Sequence, residues 1–148
     1  MDPELEELLT LFRRDLHALR NEILASPKER LFTVPAGVPN SIGTVALHLA
    51  GNLQHFVGAV LGETGYVRDR EREFSHRCDV REILAELDSA LADVEAVLPR
   101  LSPDQLSSPF PVDIDGRSIA TRIFLWRLAV HLAYHLGQTV TVRRVLAS

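Results

Sequence analysis

Apolar residues recur every three or four positions through the first 25 residues of the chain, which is the spacing of a helix with one buried face. Asp2 is a good residue to cap the first turn, and Pro3 suits the first helical position, where its missing N–H costs no hydrogen bond. The sequence therefore predicts a helix from residue 3 to about residue 25. Its apolar face consists of Leu5, Leu8, Leu9, Phe12, Leu16, Leu19 and Ile23.

Three further segments show the same periodicity, at about residues 41–62, 79–98 and 118–146. The segments between them contain proline, glycine or many charged residues. Four helices of this length bury their apolar faces best against one another, so we predict an all-α protein, a four-helix bundle that forms a single domain over residues 1–148. Connections of about 15 residues are longer than the loops of a simple up-and-down bundle, and they predict crossover connections.

The amino-acid composition limits the kinds of molecule that the protein is expected to bind. Hydrophobic residues make up 46% and charged residues 24% of the chain, and the formal net charge is −4, which argues against a track for nucleic-acid phosphates. No apolar run approaches the roughly 20 residues that span a bilayer, and the acidic N-terminus lacks the features of a signal peptide. The single cysteine, Cys78, allows no internal disulfide. We therefore expect a cytoplasmic protein with no nucleic-acid or membrane partner.

Polar stripes lie beside the apolar faces of the predicted second and fourth helices. His131 and His135 are four positions apart, so they differ by about 40° around the helix and project to one side. Two interpretations stay open: the imidazoles pack at the edge of the core, or they bind one metal ion with a histidine of a facing helix. The absence of an HExxH glutamate excludes the usual zincin mechanism. The stripes are Arg127, His131, His135 and Gln138 on the fourth helix, and His48, Asn52 and His55 on the second.

Three segments of the chain carry a resemblance to a known family. They are VPNSIGTVALHLAGNLQHFVGAVLG, TGYVRDREREF and RLAVHLAYHLGQ. These segments resemble the DinB/YfiT-like superfamily of bacterial four-helix bundles, and in particular its branch with the HLAGNLxHF and HxxxHxGQ patterns. The resemblance covers essentially the whole chain. It implies a DinB-like fold and a divalent metal ion held by His48, His131 and His135. Zinc and nickel are the first choices for this ion, and iron and manganese are the others.

The resemblance also implies a function that the residues alone do not name. Family members are often dimers, and some transfer low-molecular-weight thiols such as mycothiol or bacillithiol. We therefore expect a homodimeric, metal-dependent enzyme that acts on a small molecule by thiol transfer or hydrolysis. Asn52, Arg127 and Gln138 would hydrogen-bond the histidines or the substrate. The alternatives are a non-catalytic bundle dimer that binds a metal or another ligand, as in a stress response, and a dimer in which the histidines only pack.

Charged residues are unusually dense in the segment 66–74, where three arginines and three acids alternate between two aromatic residues. The arginines could clamp an anion, but such a run is more often a solvated face that neutralises itself, and we prefer that interpretation. His76 and Cys78 follow as a His-x-Cys pair, which we interpret as part of a surface loop because no further thiol is nearby. The arginines are Arg68, Arg70 and Arg72.

Overall fold

The computed structural model describes residues 1–147 and is an all-α four-helix bundle, as predicted. Within the described residues there is no β-strand, only two isolated bridges in the segment 109–120. The four long helices match the predicted segments to within three residues at each end. The α-helices are α1 (Pro3–Ala25), α2 (Ile42–Leu53), α3 (Arg70–Ser75), α4 (Val80–Val97), α5 (Pro103–Ser107) and α6 (Thr121–Ala147).

Short polar side chains determine where three of the long helices begin. Asp2, Ser41 and Asp79 each accept a hydrogen bond from a backbone N–H of the first turn, at 2.8–3.1 Å. Such caps satisfy N–H groups that have no partner inside the helix, and each is worth about 1 kcal/mol. These contacts explain why the sequence located the start of α1, α2 and α4 so closely.

The second long helix changes type halfway along its length. After α2 it continues as a π-helix, Gln54–Leu61. The N–H of Gly62 then bonds the carbonyl of Val57, five residues back, at 3.0 Å. The sequence predicted one continuous helix here but not the wider turn, because hydrophobic periodicity does not distinguish the two over a few residues. Wide turns of this kind are frequent at functional sites.

Ion pairs show that α1 runs parallel to α6 and antiparallel to α4. One pair near each end of α1 joins it to α6, and two more pairs join it to α4 in the opposite order along the chain. The pairs are Arg122–Glu4 and Arg143–Glu22 on the α6 side, and Arg13–Glu95 and Arg20–Asp88 on the α4 side.

The second long helix packs between α4 and α6. It runs antiparallel to α6, because Phe56 lies 4.9 Å from Phe124 while the earlier His48 lies beside the later His131. It runs parallel to α4, because Gln54 donates a hydrogen bond to Glu86 at 2.9 Å and position 62 lies against Val97. Two parallel neighbours need a connection that returns along the bundle. The predicted crossover is therefore confirmed, and its returning segment contains α3, a helix that the sequence did not predict and that packs against α2.

The core lies between the four long helices. Phe12, Leu49, Ile83 and Leu125, one from each long helix, are completely buried. No helix of residues 1–147 is both long enough and apolar enough to cross a bilayer. Where α2 faces α6, the apolar packing gives way to histidines, and the candidate site is built there.

Candidate metal centre

Three histidines from two helices come together between α2 and α6. His48 projects from α2, and His131 and His135 project from successive turns of α6. The Nε2 atoms of His48 and His131 are 3.3 Å apart. One ring nitrogen from each of the three residues lies within 4.8 Å of the other two. The structure thus brings together the three histidines that the sequence singled out.

The chemistry and spacing of these nitrogens fit a small divalent ion. Two nitrogen ligands about 2.1 Å from zinc in tetrahedral geometry are about 3.4 Å apart, close to the 3.3 Å between the Nε2 atoms of His48 and His131. Imidazole binds a metal only in its neutral form. Burial, and after it the charges of the neighbouring histidines, lower the pKa of His131 to about 4. Burial also lowers the pKa of His135, so both rings of α6 are neutral at pH 7.

A buried carboxylate on α3 orients His48. The Nδ1–H of His48 donates a hydrogen bond to Glu73 Oε1 at 3.1 Å, which leaves the Nε2 lone pair facing His131. Metal-binding histidines commonly donate their other ring N–H to a carboxylate, because this contact fixes the tautomer and makes the ring a stronger ligand. Glu73 therefore fixes His48 in the tautomer whose Nε2 lone pair is free to accept a ligand such as a metal ion.

Arg68 holds the Glu73 carboxylate with two hydrogen bonds, from Nε at 2.8 Å and from Nη2 at 3.0 Å. Burial alone would raise the pKa of Glu73. The hydrogen bonds from His48 and Arg68, together with the Arg68 charge, outweigh burial and lower this pKa, so the carboxylate is ionised at neutral pH. The side chains of Arg68 and Glu73 are 8% and 7% exposed. The interpretation of segment 66–74 as a solvated face is therefore wrong for these two residues.

Gly51 makes room for Glu73 against α2. A Cβ at this position would lie 2.1 Å from Glu73 Oε2, far inside van der Waals contact. Glycine inside a helix costs about 1 kcal/mol relative to alanine, so the close approach of the carboxylate explains its presence. Sequence reasoning missed both residues. The signal that could have found them is a glycine three positions after His48, on the same side of the helix.

Gln138 makes the corresponding contact with His135. Its side-chain oxygen accepts a hydrogen bond from His135 Nδ1–H at 2.7 Å, and its amide nitrogen donates to the hydroxyl of Tyr134 at 3.3 Å. With the proton on Nδ1, the Nε2 of His135 carries the lone pair, as in His48. Two of the three rings are therefore held in the tautomer that binds a metal through Nε2.

Two buried polar atoms near the cluster have no hydrogen-bond partner among residues 1–147. They are Nδ1 of His131 and Oδ1 of Asn52, whose side chain follows His48 by one turn of α2. An unpaired buried polar group is costly. A metal ion on Nε2 of His131 would keep the ring proton on Nδ1, and that N–H then needs an acceptor. Asn52 lies on the facing helix and offers an acceptor of the required kind.

The other polar residues of the two stripes lie outside the cluster. Arg127 precedes His131 by one turn, is exposed, and forms no hydrogen bond or ion pair with any residue that the structure describes. His55 belongs to the π-helix and packs its ring against Phe56 at 4.7 Å. Its pKa is lowered by burial and by the charge of Arg68. His55 is therefore close enough to Arg68 and Glu73 to feel their charges.

A cavity of about 580 Å³ opens beside His135, between the linker before α2 and the C-terminal half of α6. This volume is within the range of small-molecule sites. No lysine, arginine or carboxylate lines the cavity. Its walls are therefore mostly apolar, with a few neutral hydrogen-bonding groups, and they include Asn40, Ser41, Ile42, Val45, Gln138 and Val142.

The sequence profile of the DinB superfamily matches residues 8–139. This chain belongs to the DinB superfamily. The resemblance seen in the three sequence segments is thereby confirmed, and the matched range contains the three histidines and Glu73. No curated protein sequence matches this DinB-superfamily chain at a significant level.

Solved structures share the DinB fold over nearly the whole chain. A DinB-like protein from Bacillus cereus is 18% identical, with a TM-score of 0.77 over 96% of this chain and 92% of its own. A conserved protein from Enterococcus faecalis is 15% identical, with a TM-score of 0.80 over 99% of this chain and 98% of its own. The mycothiol-dependent maleylpyruvate isomerase is 18% identical, with a TM-score of 0.68 over 93% of this chain but 62% of its own. At these identities the likeness concerns the fold alone.

This member of the DinB superfamily therefore combines two features at one place. His48, His131 and His135 present ring nitrogens to one another, and Glu73 and Gln138 hold the rings of His48 and His135 in a defined tautomer. The cavity beside His135 is large enough for a small molecule. Such an arrangement can hold a divalent ion and leave a coordination position for a further ligand.

Proposed function

We propose that this protein is a divalent-metal-dependent enzyme that acts on a small molecule. Thiol transfer is the first candidate for its reaction, and hydrolysis is the second. The observation that carries the proposal is the convergence of three imidazoles beside a cavity of about 580 Å³. Three protein ligands leave a position for water or substrate, as in catalytic rather than structural zinc sites. The proposed ligands are His48, His131 and His135, and the ion would be zinc or nickel, with iron or manganese as alternatives.

The residues around the ligands prepare the site for this chemistry. Glu73 keeps the ring proton of His48 on Nδ1, and Gln138 does the same for His135, so that both Nε2 atoms can bind the ion. A divalent ion held by these three histidines would lower the pKa of a bound thiol or water and so would supply a nucleophile near neutral pH. The cavity beside His135 would hold the body of the substrate, and its lining favours an uncharged group.

Thiol transfer is the preferred reaction because a protein with the same fold, the maleylpyruvate isomerase, is mycothiol-dependent. A low-molecular-weight thiol would bind through sulfur, and a small electrophile would occupy the cavity. We keep the homodimer and the cytoplasmic location as parts of the proposal. Sedimentation equilibrium of the purified chain measures the first of them.

Metal content and turnover together test the proposal. By mass spectrometry, His48→Ala is expected to contain about one ion per chain fewer than the untagged wild type, and this difference reports the ion at the histidine site. The loaded protein is then assayed with cysteine, mycothiol and bacillithiol against small electrophiles, with His131→Ala as the inactive control. Metal loss in His48→Ala together with metal-dependent product formation would support the enzyme. No metal after reloading would leave the proposal without its basis.

One observation favours the alternative, a non-catalytic bundle that binds a metal or another ligand. The cavity lining contains no lysine or carboxylate that could serve as a general base. In this case the protein would bind one ion through the same histidines, and no thiol or ester substrate would turn over. The two functions therefore differ in the activity assay and agree in the metal analysis.

A further inference from the structure

We infer that the chain contains a second divalent-metal site, formed by His76, Cys78 and Glu82, which binds a zinc-type ion where α3 ends and α4 begins. The three residues offer an imidazole nitrogen, a thiol sulfur and a carboxylate oxygen, all within 4.8 Å of one another. None of them belongs to the histidine cluster between α2 and α6. Nitrogen, sulfur and oxygen ligands of these types are those that zinc accepts in proteins.

The sequence showed only two of these donors as a pair, and the fold adds the third. His76 is the C-cap residue of α3, and Glu82 lies in the first turn of α4. Asp79 caps α4 by accepting a hydrogen bond from the Glu82 N–H at 3.0 Å, which turns the chain so that Glu82 faces the preceding loop. Because both ends of this seven-residue segment are anchored in helices, little chain entropy is lost when the donors bind one ion.

In the structure Glu82 contacts both of the other donors through a proton. His76 Nε2 is 2.5 Å from Glu82 Oε2. Burial, and a hydrogen bond in which the Cys78 thiol donates to Glu82, raise the pKa of this thiol to about 12. An ion would take the place of the thiol proton, which passes to solvent as the sulfur becomes a bound thiolate.

The side chains have room for this change. Two ligands of one tetrahedral ion are about 3.4 Å apart, so the contact between His76 and Glu82 has to open by about 1 Å. The Glu82 side chain is 43% exposed and the His76 side chain 28% exposed, and neither is locked by packing on all sides. The movement needed is a rotation of exposed side-chain atoms rather than of the backbone.

The positive charge of Arg72 opposes the ion. Arg72 Nη2 is 3.9 Å from Glu82 Oε2, and the Arg72 side chain is 52% exposed. An exposed arginine can turn into solvent, so it weakens the site without closing it.

The helix α3 also carries Glu73, the partner of His48. An ion at the second site would therefore stabilise the helix that orients His48 in the histidine cluster.

Cobalt titration of the metal-free full-length chain tests the inference. Thiolate bound to Co²⁺ gives a charge-transfer absorption in the near ultraviolet that imidazole and carboxylate ligands do not give. We expect this absorption in the wild type and in His131→Ala, and its absence in Cys78→Ser. His76→Ala and Glu82→Gln should each raise the Co²⁺ concentration needed by at least about tenfold, and Arg72→Ala should lower it. Glu71→Gln, which removes an exposed carboxylate of α3, should leave the titration unchanged.

A second measurement covers the case in which a variant does not fold. Zn²⁺ should slow alkylation of the wild-type thiol by iodoacetamide, since a bound thiolate is shielded. Absence of both the absorption and the protection at saturating metal would overturn the inference. So would an absorption that His76→Ala and Glu82→Gln leave unchanged, because the cysteine would then bind cobalt without the other two donors. The histidine cluster contains no sulfur, so neither result depends on the proposed function.

Discussion

Replacing Glu73 by glutamine is the sharpest test of how the histidine site is built. The substitution keeps the size of the side chain and removes its charge. The carbonyl oxygen of glutamine can still accept from His48, but its amide group would face Arg68, which has only donors. Two consequences follow, one for the stability of the fold and one for the binding of metal.

The loss of stability follows from the burial of the Arg68–Glu73 pair. Both side chains are less than a tenth exposed and share two hydrogen bonds of 2.8 and 3.0 Å. Removing one partner of a buried ion pair leaves a buried charge without compensation and costs about 3–5 kcal/mol. We therefore expect Glu73→Gln to lower the free energy of unfolding by an amount in this range, which is a large part of the stability of a small domain.

The loss of metal affinity follows from the contact with His48. A carboxylate that holds the ring N–H of a metal ligand is typically worth 10–100-fold in affinity, or about 1.4–2.7 kcal/mol. Urea unfolding of the metal-free protein and competition with a coloured zinc chelator measure the two quantities separately. Glu71→Gln is the matched control, because Glu71 is an exposed glutamate of the same helix. It should change the stability by less than about 0.5 kcal/mol.

A double variant separates the two effects if Glu73→Gln alone is too unstable to study. Arg68→Met with Glu73→Gln removes both charges, and replacing a buried pair by neutral groups is often tolerated. We expect stability to recover and zinc affinity to stay low, since His48 still lacks its carboxylate. If Glu73→Gln binds zinc within twofold of the wild type, and unfolds with the same free energy, the role assigned to Glu73 is wrong.

The remaining predictions concern the metal-free protein. Gly51→Ala should destabilise the fold by about 1–3 kcal/mol, because its Cβ would overlap a buried carboxylate. Gly137→Ala should stabilise the fold by about 0.5–1 kcal/mol, because nothing lies within 4 Å of the added carbon. Urea unfolding measures both changes. Because the pKa of His131 is lowered to about 4 in the folded protein, the unfolded chain binds more protons than the folded one between pH 4 and about 6.5. The stability that His131 contributes above this range is therefore lost as the pH falls, by at most about 3 kcal/mol. Unfolding measured at several pH values should show a flatter profile for His131→Gln. Because its pKa is raised to about 12, the Cys78 thiol should react with iodoacetamide at pH 8 roughly 100- to 1000-fold more slowly than an ordinary thiol. Glu82→Gln should make this reaction faster. A wild-type rate equal to that of an ordinary thiol would contradict the prediction.

Most of the fold follows from local patterns. The apolar positions of α1, with Asp2 and Pro3 before them, determine a helix whose observed bounds are those predicted. Ser41 and Asp79 act in the same way at α2 and α4. The π-helix after α2 could not be predicted, since the same apolar residues satisfy either kind of turn. α3 could not be predicted either, because its six residues, five of them polar and one a phenylalanine, have no periodic apolar face to reveal a helix.

The part of the histidine site that lies on a single helix could be predicted from residue spacing. The four-residue spacing of His131 and His135 places them on one side of α6 whatever the rest of the chain does. The family resemblance pointed to His48 as their partner, and spacing alone did not choose between His48 and His55. Glu73 depends on a contact between segments 25 residues apart, for which no local spacing rule exists.

The topology explains why the carboxylate arrives from a connection rather than from a helix of the bundle. Since the second helix and α4 run parallel, the chain between them must travel back along the bundle, and it passes the face of α2 that carries His48. Gly51 leaves a gap on that face, and Arg68 supplies the charge that keeps a carboxylate ionised in it. A crossover that the fold requires for geometric reasons thus also brings a carboxylate to His48. It follows that the charged segment 66–74 combines a buried pair with a solvated remainder, and that substitutions at Arg68 and Glu73 should affect the histidine site while those at its exposed charges should not.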